Sequence, residues 1–346
     1  MPWTQEEDDA LLSLRDEGLS FRQIAAQLGK GESTIGRRFR LLIRPEERHA
    51  LPEFPDLIRP EMDVDEVLDQ LEAMQSLRMK LEPVTTSASI HIDTTKPIAF
   101  TPTSCWHLGG LYTCHDGFRQ KFRELLGIDR FYWGTHGDDW ESFPPGWGST
   151  VFNNLIPPHL QRQLVAKIVD KLASAGKLLY SCWGNHPAFM EKLTGEDQQA
   201  VIYADKVPYF AGRGVVKLHV GDQRYILAVA HSFPGHSYLN PSHSQSRELT
   251  FQVPQADFVI QGHKHTFAYQ ERVHHGEAYD AGLQENRIAH LVQTGTAKSG
   301  PDPFTLRGWS RGVFIWPTFV LSAKRHDIHR VYDTASLRWY LGRDDF

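Results

Sequence analysis

Cys105-Trp106-His107, Gly137-Asp138-Asp139-Trp140-Glu141, Gly184-Asn185-His186, His231 and Gly262-His263-Lys264-His265 are five short clusters. They hold most of the metal-ligand side chains in the last three-quarters of the chain, and four of the five follow a strand-like run. In α/β folds, ligands gather at the carboxyl ends of the strands. Five such clusters in this order point to a two-metal hydrolase.

Outward from them, strand and helix patterns alternate. Residues 97–104 read as a strand, 116–126 as a helix, 131–133 as a strand, 159–175 as a helix and 177–182 as a strand. That alternation argues for an α/β core. The second half is strand-rich: 215–220 and 225–230 flank Gly221-Asp222 as a hairpin, and 258–260 lead into Gly262. Further apolar runs at 290–293, 313–321 and 338–341 fit two mixed β-sheets packed face to face and flanked by helices. The segment 143–158, rich in Pro, Gly and Trp, has no periodicity and is expected over the pocket mouth.

The chain has 346 residues, 40% hydrophobic and 23% charged, which suits a soluble protein of about two domains. A net charge of -5 gives no global attraction to nucleic acid, so any such binding needs a local basic patch. Three cysteines do not make a disulfide framework, which fits a reducing, cytoplasmic setting. The first residues lack the basic-then-apolar pattern of a signal peptide, and no stretch approaches the about 18 apolar residues that span a bilayer. No membrane association is expected.

The first 44 residues read as three short helices. Thr4 followed by Glu6-Glu7 and Leu11-Leu12 is a helix start, and Gly18 ends that helix. Ser20 opens a second helix through Ile24 and Leu28, stopped by Gly29, and a third runs from about Ser33. Arg37, Arg38, Arg40 and Arg44 lie on that third helix, opposite the acids of the first, so the segment reads as electrically lopsided. Trp3, Glu6-Glu7, Leu11-Leu12, Ile24-Ala25 and Leu28-Gly29 resemble a helix-turn-helix domain of the Myb or homeodomain-like kind. The resemblance implies a basic third helix in a DNA major groove, its arginines reaching phosphates or guanine edges. A trihelical protein-interaction module is the other reading.

Residues 45–96 read as a linker: Pro-rich at 45–60, helical at about 62–82 and loose again at 83–95. The apolar stripe Val64, Val67, Leu68, Leu71, Met74, Leu77 and Leu81 either packs on a neighbouring domain or joins two chains as a homodimer. Residues 97–346 then form the catalytic domain.

Over about residues 97–300 the clusters resemble the calcineurin-like metallophosphoesterase superfamily. Its pattern is Asp-x-His, Gly-Asp-x-x-Asp, Gly-Asn-His-Asp/Glu, a lone His and Gly-His-x-His. Three positions depart from it: Cys105 replaces the first Asp, Glu141 the second Asp of the second cluster, and Pro187 the acid after Gly-Asn-His. The resemblance implies two divalent ions (Mn, Zn or Fe) sharing a hydroxide that attacks a phosphate ester. One ion falls to His107, Asp138 and His265, with Cys105 either ligating or standing aside. The other falls to Asp138, Asn185, His231 and His263, so Asp138 bridges. His186 faces the substrate and either protonates the leaving oxygen or stabilises the transition state. Glu141 orients a ligand from behind.

A carboxylate can bridge two cations, and imidazoles suit Zn, Mn and Fe, so the set is chemically coherent. A thiolate at Cys105 would favour Zn or Fe. His115-Asp116 and His136 are expected to serve loops, and His236, His243, His274 and His275 carry no spacing argument. Cys114 and Cys182 read as buried thiols. The aromatics from Trp140 to Trp147 either stack a base or cover the core. With the DNA-binding-like head attached, the expected activity is a phosphodiesterase or nuclease on DNA, like the repair exonucleases of that superfamily. Phosphatases, nucleotide phosphodiesterases and a catalytically weakened binding factor are the alternatives.

Overall fold

The computed structural model describes residues 3–42, 63–81, 84–142, 153–235, 237, 239–274, 287–300, 312, 314–343 and 346. The chain divides into two compact units, 1–75 and 76–346.

The first unit opens with α1 (Gln5–Asp16), α2 (Phe21–Leu28) and α3 (Glu32–Leu42). Thr4 and Ser20 each cap a helix in a reciprocal box, with Glu7 and Gln23, and Gly29 ends α2 in the left-handed conformation. Leu11, Ile24 and Ile35 are fully buried between the three helices. The arginines part company here. Arg38 grips buried Asp8 through both carboxylate oxygens, with Nε 2.7 Å from Oδ1. Leaving Asp8 buried without that cation would be costly, so Arg38 is a structural residue and not a free DNA contact. Lys30 likewise pairs with Glu7 at 2.9 Å, so helix-one acids cancel cations that the sequence set against them. Arg37 and Arg40 remain exposed, and Arg44 lies outside the described residues.

Next comes α4 (Val64–Leu81). Its stripe faces solvent: Val64, Leu68, Leu71, Met74 and Leu77 are all more than half exposed.

The second unit contains two six-stranded mixed sheets. The first is built from β1 (Ser87–Ile92), β6 (Gly214–Val220), β7 (Gln223–Val229), β8 (Phe258–Gln261), β9 (Ala268–His274) and β10 (Arg287–Gln293), in the order β1-β6-β7-β8-β10-β9. The second holds β2 (Ile98–Thr103), β3 (Phe131–Thr135), β4 (Leu178–Cys182), β5 (Tyr209–Phe210), β11 (Thr318–Leu321) and β12 (Ile328–Val331), in the order β12-β11-β2-β3-β4-β5. Their inner faces meet through Phe100, Tyr180, Val216, Leu218, Phe258 and Phe319. Phe100 and Phe258, from opposite sheets, stand edge-on at 6.1 Å. Outside the second sheet pack α5 (His115–Leu126), α6 (Pro158–Ser174) and α10 (Thr334–Leu341), with Phe118, Val165 and Leu337 buried beneath them. On the outer face of the first sheet, α9 (His243–Phe251) buries Leu249 against Val259 and Leu291.

Three readings of the sequence change. The loose joint at 83–95 contains β1, which pairs parallel with β6 from Ser87 to Ile92, so the sheet starts before residue 97. Its Ser-Ala-Ser opening offers little apolar signal, and backbone pairing makes the strand. The run 338–341 belongs to α10, started by the Asp333 side chain accepting from Ser336 N–H at 2.7 Å. Of the described residues in 313–321, only Thr318–Leu321 is strand.

Candidate metal centre

All five clusters leave the carboxyl end of a strand: Cys105 follows β2, Asp138 β3, Asn185 β4, His231 β7 and His263 β8. Asn185 and His186 also open α7 (Asn185–Thr194). Backbone bonds clip the loops together. Cys105 N–H donates to Gly137 O at 2.8 Å, His107 N–H to Asp138 O at 3.0 Å, and Gly262 N–H to His231 O at 3.0 Å. The approach explains two glycines. A Cβ on Gly184 would sit 2.2 Å from Asp138 N, and one on Gly262 would sit 2.3 Å from Ser104 Oγ.

The loops hold their ligating residues in strained backbone. Among the described residues seven non-glycines have positive φ, and five of them are Cys105, His107, Asp138, His263 and His265. Each costs about 1–3 kcal/mol, so surrounding contacts must enforce it. Such strain concentrates at functional sites.

The side-chain atoms converge. His231 Nε2 lies 2.7 Å from Asn185 Oδ1, 3.0 Å from His263 Nδ1 and 3.2 Å from Asp138 Oδ2. His107 Nε2 and His265 Nε2 are 2.9 Å apart. Cys105 Sγ joins both groups, with ligand atoms of Cys105-His107-His265 and of Cys105-Asp138-His231 each within 4.8 Å of one another. Atoms sharing a cation at about 2.0–2.2 Å sit about 3 Å apart, so these separations fit.

Proton accounting gives a sharper test. His231 Nδ1 faces the backbone oxygen of His136 at 2.6 Å, which can only accept, so Nδ1 carries the proton. Nε2 of the neutral ring then aims a lone pair at the carboxylate of Asp138 and the carbonyl of Asn185. A proton on Nε2 could satisfy only one of these neighbours. A divalent cation satisfies all, and the residues therefore fit one.

The electrostatics agree for His107, His263 and His265, whereas His231 without a cation leans toward the protonated form beside Asp138. Burial pushes His107 and His263 down to about 4, helped by Lys298 and His231 respectively, and burial with His107 holds His265 well below the usual imidazole range. These rings are neutral at pH 7, as ligation requires. Burial raises Asp138, but the imidazoles of His231, His186 and His107 overcome it and keep the carboxyl well below normal. Burial lowers His231, whereas Asp138 beside it leaves it above the usual value. Burial drives the Cys105 thiol far up, and His263 N–H donates to its Sγ at 3.2 Å.

His186 sits over the centre, its ring 4.5 Å from that of His107. Nδ1 lies 2.6 Å from the Glu141 backbone oxygen, so Nδ1 is protonated and Nε2 is left for the site. That carbonyl orients the ring in place of an acid at 187. Pro187 itself occupies the first turn of α7, where a missing N–H costs no helical bond. Glu141 stands behind His107, with Oε2 2.9 Å from Nδ1, although the angle leaves both atoms poorly hydrogen-bonded. Asp139, next to the bridge, accepts from Thr135 at 2.6 Å, Tyr203 at 2.7 Å and Gln199 at 3.2 Å, and burial pushes it up to about 6.

The structure thus brings Cys105, His107, Asp138, Glu141, Asn185, His186, His231, His263 and His265 into one centre. It also adds Lys298, which the sequence reading missed. This lysine is 5% exposed, and its Nζ lies 3.0 Å from Glu141. Its only sequence signal is position, beyond the carboxyl end of the 290–293 run. His136 ties strands rather than a loop, with Nδ1 3.0 Å from Thr103 O on β2 and Nε2 3.2 Å from the Tyr180 hydroxyl on β4, whereas His115 Nε2 accepts from the loop Gly109 N–H at 3.1 Å. Trp140 is fully buried in the core, which disposes of base stacking there, whereas Trp147 and residues 143–152 lie outside the described residues. So do His236 and His275. Cys182 is buried and Cys114 half-buried. Among the described residues no helix is long and apolar enough to cross a membrane.

No protein-family model and no curated protein matches the chain. Among solved structures it is similar to zinc-complexed Vps29 from Entamoeba histolytica, with 11% identity, 68% of this chain and 98% of that one covered, and a TM-score of 0.33. Vacuolar protein sorting 29 from Cryptosporidium parvum gives 14%, 68%, 96% and 0.34. The calcineurin-like phosphoesterase YfkN from Bacillus subtilis gives 11%, 72%, 97% and 0.33. At such scores these likenesses carry no weight for activity, which must be argued from the centre itself.

Proposed function

We propose that the protein is a metal-dependent phosphoesterase acting on phosphodiesters, with DNA as its substrate. The observation that carries the metal centre is His231 Nε2 crowded by a carboxylate oxygen, an amide oxygen and a second imidazole nitrogen within 3.2 Å. When bound, two divalent cations would supply Lewis-acid polarisation of a phosphoryl oxygen and acidify a water. The chain's own residues do the rest. Asp138 supplies a carboxylate beside His231 and Cys105, Asn185 adds a neutral oxygen, and the buried histidines would offer nitrogen ligands. With Nδ1–H held by the Glu141 carbonyl, His186 presents Nε2 to the leaving oxygen and, as the doubly protonated imidazolium, would give up its Nε2 proton there. Glu141 holds the His107 ring by its back nitrogen.

Purified protein with added Mn or Zn is expected to hydrolyse bis-p-nitrophenyl phosphate and to retain metal on gel filtration. Metal retention without turnover on this substrate or on DNA would instead favour a binding factor that has lost catalysis.

DNA enters through the head. The trihelical unit with exposed Arg37 and Arg40 on α3 supports phosphate contact. Arg37→Ala with Arg40→Ala should weaken DNA binding at 50 mM salt about tenfold and flatten the salt slope by about 2. Fluorescence anisotropy across salt concentrations measures both. An unchanged slope would leave the head as a protein-interaction module and the substrate as a non-DNA phosphate ester.

A further inference from the structure

The two halves of the centre differ in charge. Asp138 stands with Asn185, His231 and His263, its Oδ2 3.2 Å from His231 Nε2. The other half gathers Cys105, His107 and His265, and the carboxylate behind it is Glu141, 2.9 Å from His107 Nδ1. Both oxygens of Glu141 lie 3.0 Å from Lys298 Nζ. Lys298 and Glu141 are each at most 5% exposed, so water does little to screen them. Without its lysine, Glu141 could itself ligate: His107, Glu141 and His186 offer three ligand atoms within 4.8 Å of one another.

We propose that Lys298 is a built-in counter-cation that makes the two metal positions unequal, an assignment that rests on the metal centre proposed above. Paired with Glu141, it spends that carboxylate's charge and holds it behind His107. A dication among Asp138, Asn185, His231 and His263 meets a full carboxylate and binds tightly. One among Cys105, His107 and His265 meets a fixed ammonium across Glu141 and binds weakly. The 294–298 segment places the lysine: Ala297 N–H donates to Cys105 O at 3.0 Å, so the residue before Lys298 is clipped to the ligand loop.

The test is calorimetric titration of metal-stripped full-length protein with Mn2+. Wild type should show two events separated by at least about tenfold, one decade being about 1.4 kcal/mol. Lys298→Met should tighten the weaker event by at least about tenfold and leave the stronger within about threefold. Lys298→Gln is a second neutral variant should the methionine not fold, and Lys298→Arg should keep the wild-type pattern. Glu141→Gln leaves the lysine uncompensated and should abolish the weaker event only. Two equal events in wild type, or a weaker event that neutral variants leave unchanged or loosen, would overturn the role of Lys298 while keeping the metal centre. An absence of any Mn2+ binding in wild type would take down both.

Discussion

Asp138→Asn is expected to remove both metal binding and hydrolysis while leaving the fold intact. Asp138 is buried, its Oδ2 faces His231 at 3.2 Å beside Cys105, and its Oδ1 accepts from His186 N–H at 2.8 Å. Asparagine keeps the volume and tolerates the left-handed backbone at φ 58° about as well as aspartate does. What it loses is the charge and one lone-pair face. Groups that merely support metal ligands cost about 10–100-fold when removed, so loss of a charged ligand should exceed about 100-fold in kcat/KM. Metal content by mass spectrometry should fall in parallel. A variant that retained full metal and full turnover would show that these side chains converge for structural reasons alone.

His186→Ala has a different signature. The ring contributes a proton rather than a ligand, so metal content should stay at the wild-type level. General acid catalysis is worth about 10²–10⁴-fold, and it matters most when the leaving oxygen is basic. The loss should therefore be small with p-nitrophenyl esters, whose leaving group departs without help, and large with a dinucleotide. Equal losses on the two substrates would reduce His186 to a positioning residue. The Glu141 carbonyl holds Nδ1–H and turns Nε2 toward the site, so Pro187 leaves this behaviour intact.

The centre was legible because its parts are local. Glycines that permit close loop approach, followed by carboxylate, amide or imidazole, can be read without knowing where the loops go. Strand runs with branched or aromatic residues place those loops at strand ends. The head was equally legible in outline, since Thr4, Ser20 and Gly29 are capping residues whose effect spans one turn.

Partners distant in the chain were not legible. Arg38 looks like its neighbours Arg37 and Arg40 until folding sets it against Asp8, thirty positions away. β1 alternates polar and apolar residues over only six positions and opens on small Ser-Ala-Ser, so its signal is weak until β6 pairs with it. Lys298 belongs to no cluster, and only packing of its loop on Cys105 sets it against Glu141. The sequence alone determined which groups could ligate a metal and that they leave strand ends, because those properties depend on residue type and near neighbours. Tertiary structure decided which charges cancel one another, because Coulomb energy in a buried site depends on distance through space, which chain order does not record.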